Sequence, residues 1–278
     1  MILGERTLVM GVLNVTPDSF SDAGNYFEVK KAIEHAIAIE RAGADFLDIG
    51  GESTRPGSEE ISAAEELERI LPVLEGLQGR LKIPVSVDTR RSTVAELAIC
   101  AGAQLINDVS GLKSDARMAQ VAAKHGVPII LMHMRGQPRT MQRGPFAKNV
   151  MKDVIAGLRD SVATARKAGV ARSQIILDPG IGFGKSYAQN YELIEKLPQL
   201  AALGFPLLVG TSRKGFLGAT LARAGKAAPT EDRIWGTAAT VTAGIFGGAH
   251  IVRVHDVAEM VQISRVADCL VNPRMRVR

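Results

Sequence analysis

Cysteine is almost missing from this sequence. Only Cys100 and Cys269 occur among 278 residues, each inside a helix-like apolar pattern. Two thiols so placed exclude a disulfide framework and suit a reducing, cytoplasmic setting. Neither stands among groups that would activate it, and no Gly-x-Ser-x-Gly elbow occurs, so a covalent mechanism is not expected. No His/Cys group has zinc spacing, and no Walker pattern is present. No apolar run approaches the ~18 residues of a membrane span, and the opening MILGERTLVMGVL is too short a run for a signal peptide. Blocks of one charge are lacking too. Lys and Arg are scattered, with short pairs such as Lys30-Lys31 and Arg90-Arg91, so nucleic acid is not an expected partner. No Pro- or Ser-rich linker divides the chain, and one domain over residues 1–278 is expected.

What is present is ordinary globular composition, 46% hydrophobic and 23% charged, with a formal net charge of +5. That excess serves solubility or steers an anionic ligand. Short apolar runs alternate with longer helical patterns. The runs cover Thr7–Leu13, Asp45–Ile49, Pro84–Val87, Ala103–Ile106, Val127–Met132, Gln174–Leu177, Pro206–Val209 and His250–Val254. Their continuous apolar character predicts parallel strands covered on both faces. Helical patterns follow them, several closed by a glycine (Gly43, Gly79, Gly102, Gly126, Gly169), and one continuous helix is read near Tyr187–Leu200. The last helix follows Asp256, a side chain suited to capping it. Eight strand–helix units without a linker predict one (β/α)8 (TIM) barrel with its active site at the carboxyl ends of the strands. The competing architecture is an open doubly wound sheet, which would gather its ligand groups at one crevice.

Polar residues follow every predicted strand: Asn14; Gly51 to Arg55; Asp88; Asn107-Asp108; His133; Asp178; Ser212-Arg213-Lys214; Arg253 with His255. Each alone reads as a capping group or a turn. Their recurrence at one end of all eight strands points to a single site. Asp88 and Asp178 are equally suited to Asx-turns. With Asn107, they also suit a flat heterocycle rich in N–H groups, because carboxylates accept and an amide does both. Lys214 would reach ring acceptors. Gly180, Gly182 and Gly184 in DPGIGFGK read either as a flexible turn or as backbone approaching a planar ligand, with Phe183 as an apolar wall. Arg213, Lys214, Arg253 and His255 gather after the last two strands, where such barrels commonly bind phosphate. Arg253 interrupts the apolar run IVRVH, and a charge there needs a partner or a ligand. His133, flanked by Met132 and Met134, reads first as a satisfied polar group.

The motifs MGVLNVTPDSFSD, GGESTRPG, SVDT, INDVSG, LMHM, LDPGIGFGK, VGTSRKGFLG and IVRVHDV, in this order, closely resemble those of the dihydropteroate synthase family over nearly the whole chain. That resemblance implies condensation of 6-hydroxymethyl-7,8-dihydropterin diphosphate with 4-aminobenzoate, releasing diphosphate. It implies that Asp88, Asn107, Asp178 and Lys214 hydrogen-bond the pterin, and that Met132, Phe183 and Arg253 pack around its ring. Asn14, Arg253 and His255 would hold the diphosphate, with Mg2+ near Asn14. Thr54, Arg55 and Pro56 would form a mobile loop beside the 4-aminobenzoate site, completed by Ser212. A homodimer through outer helices is implied as well. One departure stands out: family members often have SDGG where this chain has Ser21-Asp22-Ala23-Gly24, and Ala23 lacks glycine's freedom at positive φ. Two other readings share the pterin idea, a barrel that passes a methyl group from a folate to a corrinoid and a pterin-binding relative without activity. The first leaves the Arg253–His255 anion site and the SRK loop unexplained. Full retention of the motifs weighs against the second.

Overall fold

The structure is a computed structural model that describes residues 4–16, 25–53, 58, 60–136 and 140–275. Thr54, Arg55 and Pro56, and the Ala23 departure, lie outside the described residues, as does much of the two polar loops after the first two strands. The strands are β1 (Leu8–Asn14), β2 (Phe46–Gly50), β3 (Val85–Asp88), β4 (Leu105–Asp108), β5 (Ile129–Met132), β6 (Ile175–Asp178), β7 (Leu208–Val209) and β8 (Ile251–Val254). All their pairings are parallel, in the order β6-β5-β4-β3-β2-β1-β8-β7. A parallel bridge between Leu177 and Leu207 brings the two edges together, with Leu177 N–H donating to Pro206 O at 2.9 Å. The sheet thus closes as a barrel, with helices between successive strands, and the open-sheet alternative is set aside.

Side-chain alternation then decides where the chemistry goes. Leu8, Met10, Leu105, Ile130, Ile176, Leu208 and Ile251 form one buried cluster, with Phe46 packed against it. These fill the barrel interior. Their neighbours one residue along, such as Val9, Leu47, Ile106, Ile129, Ile175, Val209 and Val252, belong to the larger core shared with the helices. Two residues toward the carboxyl end from the interior plug, the inward positions become Asp48, Asn107, Met132, Asp178 and Arg253. Asp88 follows buried Ser86 by the same step. Period-2 geometry therefore floors the site with aliphatic side chains and rings it with polar ones.

The helical pattern differs from expectation in three places. The span read as one helix near Tyr187–Leu200 is two, Tyr187–Glu195 and Leu197–Ala201. Pro198 has no N–H to continue the first and stands in the opening turn of the second, where none is needed. A short helix, Gly215–Thr220, follows β7 directly. Asp256 precedes helix Val257–Val271 but makes no capping bond with its side chain, which pairs with Arg213 instead. No helix among the described residues is long and apolar enough to cross a membrane.

Candidate functional site

The pairing register sets Asn14 beside Gly50, Gly50 beside Asp88, and Asp88 beside Asn107. Farther round, Met132 pairs with Asp178. Asp88, Asn107 and Asp178 are buried, and Asn14 at the end of β1 is partly so.

Arg253 enters this ring from β8 and is held by two carboxylates. Its Nε donates to Asp48 Oδ2 at 2.6 Å and its Nη2 to Asp88 Oδ2 at 2.7 Å. The partner that a charge in IVRVH required is therefore protein. Asn107 Nδ2 donates to the same Asp48 oxygen at 3.0 Å. Among the described residues, Asp48 Oδ1 and Asn107 Oδ1 are buried acceptors with no partner. Unpaired buried acceptors are costly, and these two suit a ligand that brings N–H groups.

Electrostatics follow from this crowding. Burial pushes the Asp88 carboxyl up to about 7; Arg253 opposes the rise, and Asp48 and Glu66 add to it. Burial raises Asp178 as well, against the Gly180 N–H and Lys214. Lys214 is brought down to about 8 by burial and then by Arg253, despite the pull of Asp178 and Asp88. Burial disfavours the Arg253 cation, but Asp48 and Asp88 more than compensate and raise its pKa. The site packs two cations, Lys214 and Arg253, against three carboxylates, Asp48, Asp88 and Asp178, so the charge on one bears on the others.

Asp178 also makes an Asx-turn: its Oδ1 accepts from Gly180 N–H at 2.7 Å. The turn opens the glycine loop, where Gly180, Gly182 and Gly184 all have positive φ (+66°, +87° and +69°). These glycines admit protein. A Cβ on Gly180 would stand 1.9 Å from His133 O, one on Gly184 would stand 2.1 Å from Arg135 O, and one on Gly182 would press on the Lys214 stem at 3.0 Å. The loop is thus pinned, and it presents Phe183, whose ring centroid lies 4.0 Å from Lys214 Nζ. Phe183 joins Met132, Met134, Met141 and Val109 in an apolar wall.

On the other side, Ser212 Oγ accepts from His255 N–H at 3.1 Å and lies 3.0 Å from His255 Nδ1. Burial, and then the nearby Arg253, lower His255 to about 3, so its ring is neutral here. It offers a hydrogen bond and no charge. Arg213 turns away to Asp256, although its backbone takes a positive φ of 59°. Glu52 is drawn into ion pairs with Arg90 and Arg91, and Arg91 also binds Glu66 at 2.5 Å. His133 is buried and neutral, lowered to about 2 by burial and then by Lys185.

Two residues at this site had no role in the sequence reading. Asp48 sits in the strand FLDIG, and the argument that singled out Arg253 applies to it equally: a charge inside an apolar run needs a partner. Lys185 closes the glycine motif, and its side chain is 2% exposed. Nothing in the sequence tells a buried loop lysine from an exposed one.

Residues 10–255 match the family of pterin binding enzymes. A dihydropteroate synthase of Synechocystis sp. is 49% identical over 96% of this chain and 91% of its own length. The crystal structure of dihydropteroate synthase from Clostridium difficile in the presence of pteroic acid superposes with a TM-score of 0.91 at 41% identity, covering 97% of this chain and 98% of that one. The Xanthomonas albilineans dihydropteroate synthase in complex with 7,8-dihydropteroate gives 0.86 at 38% identity, over 96% and 95%. Fold, motif order and full-length similarity agree, and the chain belongs to the dihydropteroate synthases, the transferases of folate biosynthesis that condense 6-hydroxymethyl-7,8-dihydropterin diphosphate with 4-aminobenzoate and release diphosphate.

Proposed function

We propose that the ring of Asp48, Asp88, Asn107, Asp178 and Lys214 binds the pterin, and that Arg253, His255 and Asn14 take the diphosphate. The observation that carries this reading is the pair of partnerless buried acceptors, Asp48 Oδ1 and Asn107 Oδ1, inside a wall of carboxylates above an aliphatic floor. Asp88 and Asp178 accept from the pterin's N–H edge, and Lys214 donates to its ring acceptors. Met132 and Phe183 cover its faces.

Arg253 spends Nε and Nη2 on Asp48 and Asp88, which leaves Nη1 for the leaving group. With Ser212 donating to Nδ1, His255 carries its proton on Nε2 and offers it to a diphosphate oxygen. Asn14 contributes a hard amide oxygen. A magnesium here would take Asn14 as a ligand beside diphosphate oxygens. When bound, it would neutralise diphosphate charge.

The bond from the pterin's exocyclic carbon to the diphosphate oxygen breaks, and its electron pair leaves with diphosphate. The electron-rich dihydropterin supports the positive charge left on that carbon. The arylamine nitrogen of 4-aminobenzoate attacks it and then loses a proton. Positioning and electrostatics supply the catalysis, and no strong base is needed. Thr54, Arg55, Pro56 and Ser212 belong, on this reading, to the 4-aminobenzoate side. Diphosphate release measured with each substrate alone and with both tests the reaction: it should require both.

The same proposal includes a homodimer and a cytoplasmic location. Exposed apolar side chains on the last two helices, Phe246, Val266, Leu270 and Val271, favour a covered face there.

A further inference from the structure

Lys185 is among the largest fully buried side chains of the described residues, yet its ammonium forms no ion pair with any of them. It sits instead among three acceptors: His133 O at 2.9 Å, Phe183 O at 3.0 Å and His133 Nδ1 at 3.1 Å. Burial brings Lys185 down to about 7, and in its ammonium form it has three donors and no acceptor, which these three acceptors match. The histidine fits its part, because a neutral ring accepts at Nδ1 while Nε2 faces Asp153 Oδ2 at 3.6 Å.

We propose that Lys185 is a positioning residue for the pterin face: its ammonium ties the segment after β5 to the glycine loop after β6 and so fixes Phe183 beneath Lys214. Gln142 holds Gly182 O at 2.6 Å and Asn190 holds Gly182 N–H at 2.6 Å, but among the described residues Lys185 alone binds the Phe183 carbonyl. Phe183 N–H in turn donates to Gly180 O at 3.0 Å, the residue anchored to Asp178. Ring wall and carboxylate therefore share one short, pinned loop. A residue needed only to fill space here would be aliphatic, like its neighbours. A buried cation facing two carbonyls is a costly filler unless its directed bonds matter.

This inference rests on the pterin-site reading above. The test is a double-mutant cycle with Lys185→Met and Phe183→Ala, following 6-hydroxymethylpterin binding by calorimetry, with folding checked by circular dichroism. Lys185→Met keeps the length and removes all three donors. Its dissociation constant should rise on the order of tenfold, and adding Phe183→Ala should cost little more, because one mutation acts through the other. Should Lys185→Met fail to fold, Lys185→Leu, which also removes all three donors, enters the same cycle. Normal binding by the lysine variant, or effects that multiply fully in the double variant, overturns the clamp alone. If Phe183→Ala also binds like wild type, the pterin-site reading falls and the clamp falls with it.

Discussion

Arg253 Nε lies 2.6 Å from Asp48 Oδ2, joining residues 205 positions apart in the chain across the barrel interior. The planar guanidinium holds one carboxylate at Nε and another at Nη2 and, among the described residues, keeps Nη1 free, a spread that the single nitrogen of a lysine cannot reproduce. Arg253→Lys keeps the charge but leaves either Asp48 or Asp88 without its donor. We expect kcat/KM to fall by roughly 30-fold or more, about 2 kcal/mol, in steady-state kinetics. A lysine variant within a few-fold of wild type would reduce Arg253 to a generic charge.

Pterin affinity should depend on pH with a maximum between about 7 and about 8. Asp88, raised to about 7 by burial, holds a proton below that pH and must lose it to accept from the pterin, so affinity falls as pH drops. Lys214, lowered to about 8, loses its ammonium above that pH, so affinity declines again. Calorimetry from pH 5.5 to 9 should show both limbs, and Asp88→Asn should weaken the acidic one, leaving the part due to Asp178, which burial also raises. A flat profile between pH 5.5 and 7 contradicts the role given to Asp88.

Gly180→Ala should be far more damaging than Gly79→Ala. Both glycines have a positive φ, but a Cβ on Gly180 meets His133 O at 1.9 Å, and one on Gly79 meets nothing within 4 Å. Strain alone costs about 1 kcal/mol, and the backbone clash should bring Gly180→Ala to roughly 3 kcal/mol. Urea midpoints of the two variants check this; equal losses would mean the loop yields freely.

4-Aminobenzoate should bind weakly to the empty enzyme and more tightly with magnesium diphosphate present. Its proposed site draws on the polar segments that follow β1 and β2, and diphosphate held at Asn14 would lie beside them and help complete it. Linkage demands that 4-aminobenzoate tighten diphosphate by the same factor. Equal affinity in titrations with and without magnesium diphosphate would count against it.

All eight strands lie where the apolar runs place them, because buried parallel strands leave a continuous apolar signature. The ring of polar residues was readable for the same reason: each breaks an apolar run or ends it. Asp48 obeys that rule and was passed over because FLDIG places its charge inside the strand, not after it. The break before Leu197 was written in Pro198, whereas the short helix Gly215–Thr220 carries two glycines and too few turns to show periodicity. The Lys185 contacts depend on how two loops fold over each other, and no local pattern encodes that. Asp256 resembled a helix cap; tertiary pairing with Arg213 took its side chain.

The claim on which the account turns is that Asp178 accepts the pterin's N–H edge. Asp178 gives Oδ1 to Gly180 N–H, and Oδ2 is the oxygen proposed to accept from the ligand. Asp178→Asn retains the size and can retain the turn, but sets an amide donor against a ligand donor. Calorimetric titration of 6-hydroxymethylpterin into the folded variant should show a loss of at least ~2 kcal/mol, roughly 30-fold in affinity. Affinity close to wild type in a folded Asp178→Asn protein would contradict the site.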